Sequence, residues 1–169
     1  MSLFPSPSAG FDAPFEMLHA CHERVERMLH LLERLAAHLG KVGPDTQAQQ
    51  AAADVLRYFE IAAPQHHQDE ERHVLPRLRA QGQAELADRI AADHQRMHSA
   101  WLALREQLFA VQRAEGPDCS QWPAFCALYR VHIALEEAQA FPAAAAQCDA
   151  QALRAMGEEM AGRRGVRGA

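Results

Sequence analysis

The sequence predicts an all-α protein, an up-down-up-down four-helix bundle with a short extra C-terminal helix. Two observations predict it. Apolar residues recur every three or four positions through four long segments, and clusters of proline and glycine interrupt the chain between them, leaving no room for a sheet. With 169 residues, 49% of them hydrophobic, the chain can bury one core and is short for two.

Pro5, Pro7, Gly10 and Pro14 make residues 1–13 an extended N-terminal arm, with Asp12 the expected cap of a helix that holds Pro14 in its first turn. This first helix should run to about His38. His22 falls within its apolar stripe of Leu18, Val25, Leu29, Leu32 and Ala36, whereas His19, His30 and His38 fall to the sides. Gly40 to Asp45 breaks the chain. A second helix, from Thr46 to Arg79, carries Val55, Leu56, Phe59 and Ala63 inward. Pro64 has no N–H to donate and clashes with the carbonyl of Glu60, so a kink is expected there. The third helix, Ala84 to Arg113, buries Leu86, Ile90, Met97, Trp101 and Leu108, with Met97 and Trp101 read as core. The fourth starts near Ser120 and Pro123 and presents Phe125, Leu128, His132, Leu135 and Glu136 before ending at Pro142. Residues 149–161 read as a terminal helix. The bundle thus spans residues 14–142, and residues 143–169 form the C-terminal helix and basic tail.

Composition narrows the function. Net charge is -5 and no basic run appears before Arg163-Arg164-Gly-Val-Arg167, so no nucleic-acid partner is expected. The N-terminus lacks the basic and apolar parts of a signal peptide, and no apolar run approaches a membrane span, so a cytoplasmic address without membrane association is expected. Cys21, Cys119, Cys126 and Cys148 have neither metal-site spacing nor disulfide density. They read as reduced thiols, Cys21 and Cys126 as packing residues.

The chemistry lies in four histidine-bearing segments, one per helix. They are Leu18–Val25 with His22, His66-His67-Gln-Asp-Glu70-Glu71, His94-Gln-Arg-Met-His98, and His132-Ile-Ala-Leu-Glu136-Glu137. Residues four apart share one side of a helix and can reach one ion. The second and fourth helices echo each other, with His66, Glu70, Glu71 and Pro76 aligning with His132, Glu136, Glu137 and Pro142. The echo selects His66 and Glu70 over the overlapping pair His67 and Glu71, which stays nearly as good a stripe. His22, His66, Glu70, His94, His98, His132 and Glu136 are the candidate metal ligands. Five imidazoles and two carboxylates are too many for one tetrahedral ion and fit two. Burial without a metal would cost several kcal/mol per charged group.

A single inward histidine is usually a core residue bonded to a carbonyl, and a lone His-x-x-x-Glu pair usually a solvated one. Four such segments on four successive helices outweigh that reading. For His19, His30, His38, His67 and His73, a surface or supporting position is expected instead.

These residues resemble the hemerythrin family, in particular its bacterial HHE cation-binding branch, over about residues 14–142. The resemblance rests on His22, His66-x-x-x-Glu70, His94-x-x-x-His98 and His132-x-x-x-Glu136, with the His-His-x-x-Glu-Glu run and trailing proline as further marks. It implies a non-haem di-iron centre in which His94, His98 and His132 hold one iron, His22 and His66 the other, and Glu70 and Glu136 bridge them. Oxygen would bind at the less saturated iron. Oxygen-carrying members have an Asp five residues after the fourth-helix histidine. Here Glu136 stands at the fourth position and Glu137 at the fifth, which resembles the iron–sulfur repair and iron-sensing members. A ferritin-like di-iron oxidase is a competitor through Glu16-Met-Leu-His19 and Glu70-Glu-Arg-His73, but that pattern leaves His94, His98 and His132 without a role.

The expected function is binding or sensing of oxygen or nitric oxide at two irons, with zinc or manganese as substitute metals. Histidine-rich ligation leaves few open positions and favours binding over catalysis. The alternatives are a di-metal oxidase, a peroxide-handling protein or an iron-donating repair factor, and then a two-zinc hydrolase. A sensor would signal through a partner or through oligomer surfaces.

Overall fold

A computed structural model of the protein describes residues 10–166, so most of the proposed N-terminal arm and Arg167 of the tail lie outside the described residues. Helix α1 spans Pro14–Lys41. Helix α2 covers residues 46–80 in pieces: Thr46–Arg57, a π-turn at Tyr58–Ala62, Ala63–His73, and Leu75–Ala80. Helix α3 is Ala84–Gln112. Helix α4 covers residues 122–145, as Trp122–Leu135, a π-turn at Glu136–Ala140, and Phe141–Ala145. A final helix α5 spans Ala150–Arg163. No strand occurs among the described residues.

Local chemistry explains the helix starts. The Asp45 carboxylate accepts the Ala48 N–H at 2.9 Å and caps α2, and Asp149 does the same for α5 through Ala152 at 2.8 Å. At α1 the expectation is corrected. Ala13, not Asp12, is the cap residue, no side chain caps it, and Pro14 opens the first turn, where its missing N–H has no helical partner to lose.

The core falls into two apolar clusters, one at each end of the bundle. One includes Val25, Leu29, Phe59, Met97, Trp101, Phe125 and Tyr129. The other includes Leu18, Val74, Leu78, Ile90, Leu135, Phe141 and Met160. Along α1 the chain passes from the second cluster to the first, along α2 from first to second, along α3 back, and along α4 to the second again. Up-down-up-down topology follows from that alternation. Helices α1 and α3 each pack between α2 and α4. Every long helix crosses the gap between the clusters where its histidine lies.

The prolines act differently from the expectation of a simple kink. Pro64 cannot donate to the Glu60 carbonyl, and the helix answers with a π-turn in which the Ala63 N–H bonds to the carbonyl of Tyr58. The added residue re-phases the segment that carries His66, His67 and Glu70. Pro142 likewise does not end α4. A π-turn absorbs it, with the Phe141 N–H bonding to the carbonyl of Glu136, and the helix continues to Ala145. Pro76, its partner in the sequence echo, follows a one-residue break at Val74 instead.

Helix α5 docks on the bundle by charge and close packing. Arg163 and Arg164 both bond the buried carboxylate of Asp69, Arg164 at 2.6 Å. At Gly157 a Cβ would stand 1.7 Å from the carbonyl oxygen of Phe11, so only glycine allows that approach. No helix among the described residues is long and apolar enough to cross a membrane.

Candidate metal centre

Between the two apolar clusters lies a polar layer that burial alone would disfavour. His22, His66, Glu70, His94, His132 and Glu136 are all buried there, with both carboxylates wholly inaccessible. Joined by the partly buried His67, they form two groups whose donor atoms lie within 4.8 Å of one another: His22, His66, Glu70 and Glu136, and His67, Glu70, His94 and His132.

Glu70 belongs to both groups. Its Oε1 lies 2.9 Å from His66 Nε2 and 3.5 Å from His22 Nε2, while its Oε2 lies 3.2 Å from His94 Nε2. Glu136 also spans the layer, with Oε2 at 3.2 Å from His22 Nε2 and 3.1 Å from His132 Nε2, and Oε1 at 3.9 Å from His94 Nε2.

The inner nitrogen of three histidines faces this centre and the outer nitrogen faces an acid. His22 Nδ1 donates to Glu137 at 2.6 Å, His94 Nδ1 donates to Glu71 at 3.0 Å, and His132 Nδ1 lies 3.5 Å from Asp93. For His22 and His94 the outer carboxylate fixes the ring so that Nε2 points inward, whereas the Nδ1 of His132 makes no hydrogen bond to Asp93. His66 differs, for the Cys21 thiol lies against it.

The charge state of the metal-free site follows. Burial opposes protonation of His22, yet Glu136 and Glu70 overcome it and raise the imidazole to about 9. His66 and His94 are also raised against the pull of burial, through Glu70. Burial would raise Glu70, but His66, His22 and His94 hold it well below the usual carboxylate range. His67 moves the other way, because burial and the neighbouring His94 both disfavour its charge.

The donor set fits metal ions. The Nε2 atoms of His22, His94 and His132 and all four oxygens of Glu70 and Glu136 are buried and have no hydrogen-bond partner. Leaving so many buried polar atoms unmatched costs about 1–3 kcal/mol for each group. A cation among them would satisfy several at once.

Six of the seven sequence-chosen residues are brought together, and His98 is not. It is exposed and lines a cavity, while His67 fills the corresponding place and stacks on His94 with ring centroids 4.2 Å apart. Helix geometry accounts for His67. At about 100° per residue, Glu70 falls between His66 and His67 when viewed down the axis, so one inward glutamate turns both neighbours toward the centre. The chosen residues His66 and Glu70 both lie in the layer, and of the competing pair His67 joins them while Glu71 does not.

Sequence reasoning also passed over two buried aspartates, Asp69 and Asp93. Each directly precedes a candidate ligand, Glu70 and His94, and Asp93 has Arg96 three residues on as its ion-pair partner. That adjacency was the available signal. The remaining histidines pair at or near the surface: His19 with Glu137, His30 with Glu33, His38 with Asp45 and His73 with Glu159. The ferritin-like pattern is not built, since Glu16 and His19 are exposed and His73 turns to Glu159. All four cysteines are free thiols.

A cavity of about 400 Å³ adjoins the group of His67 and His94. Phe59, Met97, Trp101 and Tyr129 form its apolar wall, and Gln65, Gln68, Glu71, Gln95 and His98 its polar side. Met97 and Trp101 are core residues as expected, and they line this space as well.

Comparison with known proteins agrees with this geometry. An uncharacterized protein of Haemophilus influenzae is 34% identical over 170 aligned positions, which cover 98% of each chain. The sequence pattern of the hemerythrin HHE cation-binding domain matches residues 13–144, the segment that supplies every donor of the two groups. On that match, joined to a donor layer suited to cations, the chain belongs to the hemerythrin HHE cation-binding family.

Proposed function

We propose that this protein holds two iron ions and binds or senses a small diatomic ligand, oxygen or nitric oxide, in the cytoplasm. The observation that carries the reading is the sharing of Glu70 between two groups of otherwise unpartnered buried donors. His22 and His66 would hold one ion and His67, His94 and His132 the other, with Glu70 and Glu136 reaching across. His98 lies outside this set and stands at the cavity. When bound, reduced iron supplies a redox-active centre that accepts a small ligand at an open coordination position.

The resemblance alone directs the ligand to the ion with fewer histidines. The cavity adjoins the other group, so we propose approach past His67 and His94. Its apolar wall suits an uncharged diatomic molecule, and its polar side keeps it open to water. Glu71 and Glu137 hold the outer nitrogens of His94 and His22, which keeps those rings aimed at the ions while the ligand comes and goes.

Absorption spectra of protein loaded with ferrous iron under anaerobic conditions test the reading, before air, in air and after its removal. Near-ultraviolet and visible bands that appear with air and vanish on its removal are expected. Persistent bands would favour an oxidase, peroxide-handling or iron-donating repair role. No iron-dependent bands, with two zinc ions retained, would favour the hydrolase alternative.

A further inference from the structure

We propose that the Tyr129 hydroxyl is the hydrogen-bond donor met by a ligand in the cavity beside His67 and His94, so that the cavity selects small molecules with an electron-rich acceptor end. This rests on the iron-pair reading above.

Tyr129 lies on α4 one turn before His132, on the same side of the helix. Its ring is fixed by Phe125 and Phe59, with centroids 5.0 and 5.4 Å away, and lies nearly parallel to His67 at 6.0 Å. The side chain is 4% exposed and forms part of the cavity wall.

The polar atoms of the other aromatic side chains have partners. The Tyr58 hydroxyl donates to the carbonyl of Cys21, the Trp101 indole N–H to Glu60 and the Trp122 indole N–H to Gln107. Among the described residues, Tyr129 alone of these four has no protein partner for its polar atom. Its oxygen is not shut off from solvent, and the side chain lines the cavity, so the hydroxyl is open to a ligand there. Burial, with the nearby Tyr58 and Glu70, pushes the phenol above its ordinary value, so it stays protonated and can donate. The other polar groups of the cavity lie on its solvent side or face the metal layer. Tyr129 is therefore the fixed donor on the apolar wall.

The test uses azide as a small anionic probe on the full-length protein loaded with ferric iron. In the wild-type protein, the infrared stretch of bound azide should shift on transfer to D2O, because the donated proton exchanges. In Tyr129→Phe the azide dissociation constant should rise about tenfold and the isotope shift should disappear, with iron content and melting temperature unchanged. Unchanged affinity and isotope shift in an iron-replete Tyr129→Phe protein would overturn the role of Tyr129 and leave the iron pair standing. A wild-type protein that retains no iron would overturn both, and one that retains iron but binds no azide would overturn the role of Tyr129 alone. Should the variant fail to fold, a wild-type azide stretch insensitive to D2O overturns the proposal by itself.

Discussion

The two donor groups share a carboxylate and differ in everything around it. His22, His66, Glu70 and Glu136 are sealed on all sides, with Phe141 stacked on His22 at 5.1 Å and the Cys21 thiol against His66. In the group of His67, Glu70, His94 and His132, His67 and His94 line the cavity, and His67 is only half-buried. In one fold the same residue types thus make a closed position and an approachable one. The difference comes from what packs against the rings: Phe141 and the Cys21 thiol beside His22 and His66, the cavity beside His67 and His94. Under the proposed function, ligand chemistry would belong to the approachable side and structural holding to the sealed one.

The largest effect should come from breaking what the groups share. Glu70→Gln removes a charge from both at once, so both ions should be lost, as metal analysis of purified protein would show. Retention of both would mean that Glu71, not Glu70, is the ligand in that turn.

Next come the members that the groups do not share. His132→Ala should remove the ion of the cavity side and His22→Ala the sealed one, each sparing the other. Either truncation also leaves a cavity in a packed layer, costing roughly 2 kcal/mol or more, visible as a lower melting temperature. Equal loss of both ions from either variant would show that the groups fill only as a pair.

A smaller effect is read through pH. In the metal-free protein, His22 is raised from 6.5 to about 9 by Glu136 and Glu70 against the effect of burial. A raised imidazole stabilises the fold fully below the unfolded value, and that contribution is lost as pH rises through the folded one. Metal-free protein should therefore melt at progressively lower temperature between about pH 6.5 and 9, while metal affinity rises across the same window because a ligand must be neutral. A flat melting temperature there would show that His22 is not charged beside the carboxylates.

The smallest effect belongs to the outer acids. Glu71→Gln should keep the metal count and weaken the ion of the cavity side by about tenfold, measured by competition with a chelator. Weakening of the sealed ion instead would reverse the assignment of groups.

Much of this architecture was legible in the chain. His22 lies in a stripe of Leu18, Val25 and Leu29, and helical spacing suffices to turn it inward. The pairs His66 and Glu70, and His132 and Glu136, follow from the same rule, which concerns neighbours on one helix. His98 shows where that rule stops. It shares a face with His94, yet one helical turn along the axis moves it out of the donor layer. His67 entered because Glu70 between its neighbours, and the π-turn before Pro64, set the rotation of that segment.

The sequence by itself determined the elements of this protein: helical periodicity, breaks and caps are local, and each long helix carries its own inward histidine. It also determined the chemistry of the layer, since imidazole and carboxylate at a spacing of four recur in two segments. Only the tertiary structure decided which seven donors meet, which of them face the cavity and which acids steady them. Those outcomes depend on axial height and rotation between helices, quantities set by packing the two apolar clusters and by the π-turns at the prolines. No spacing within one helix contains them.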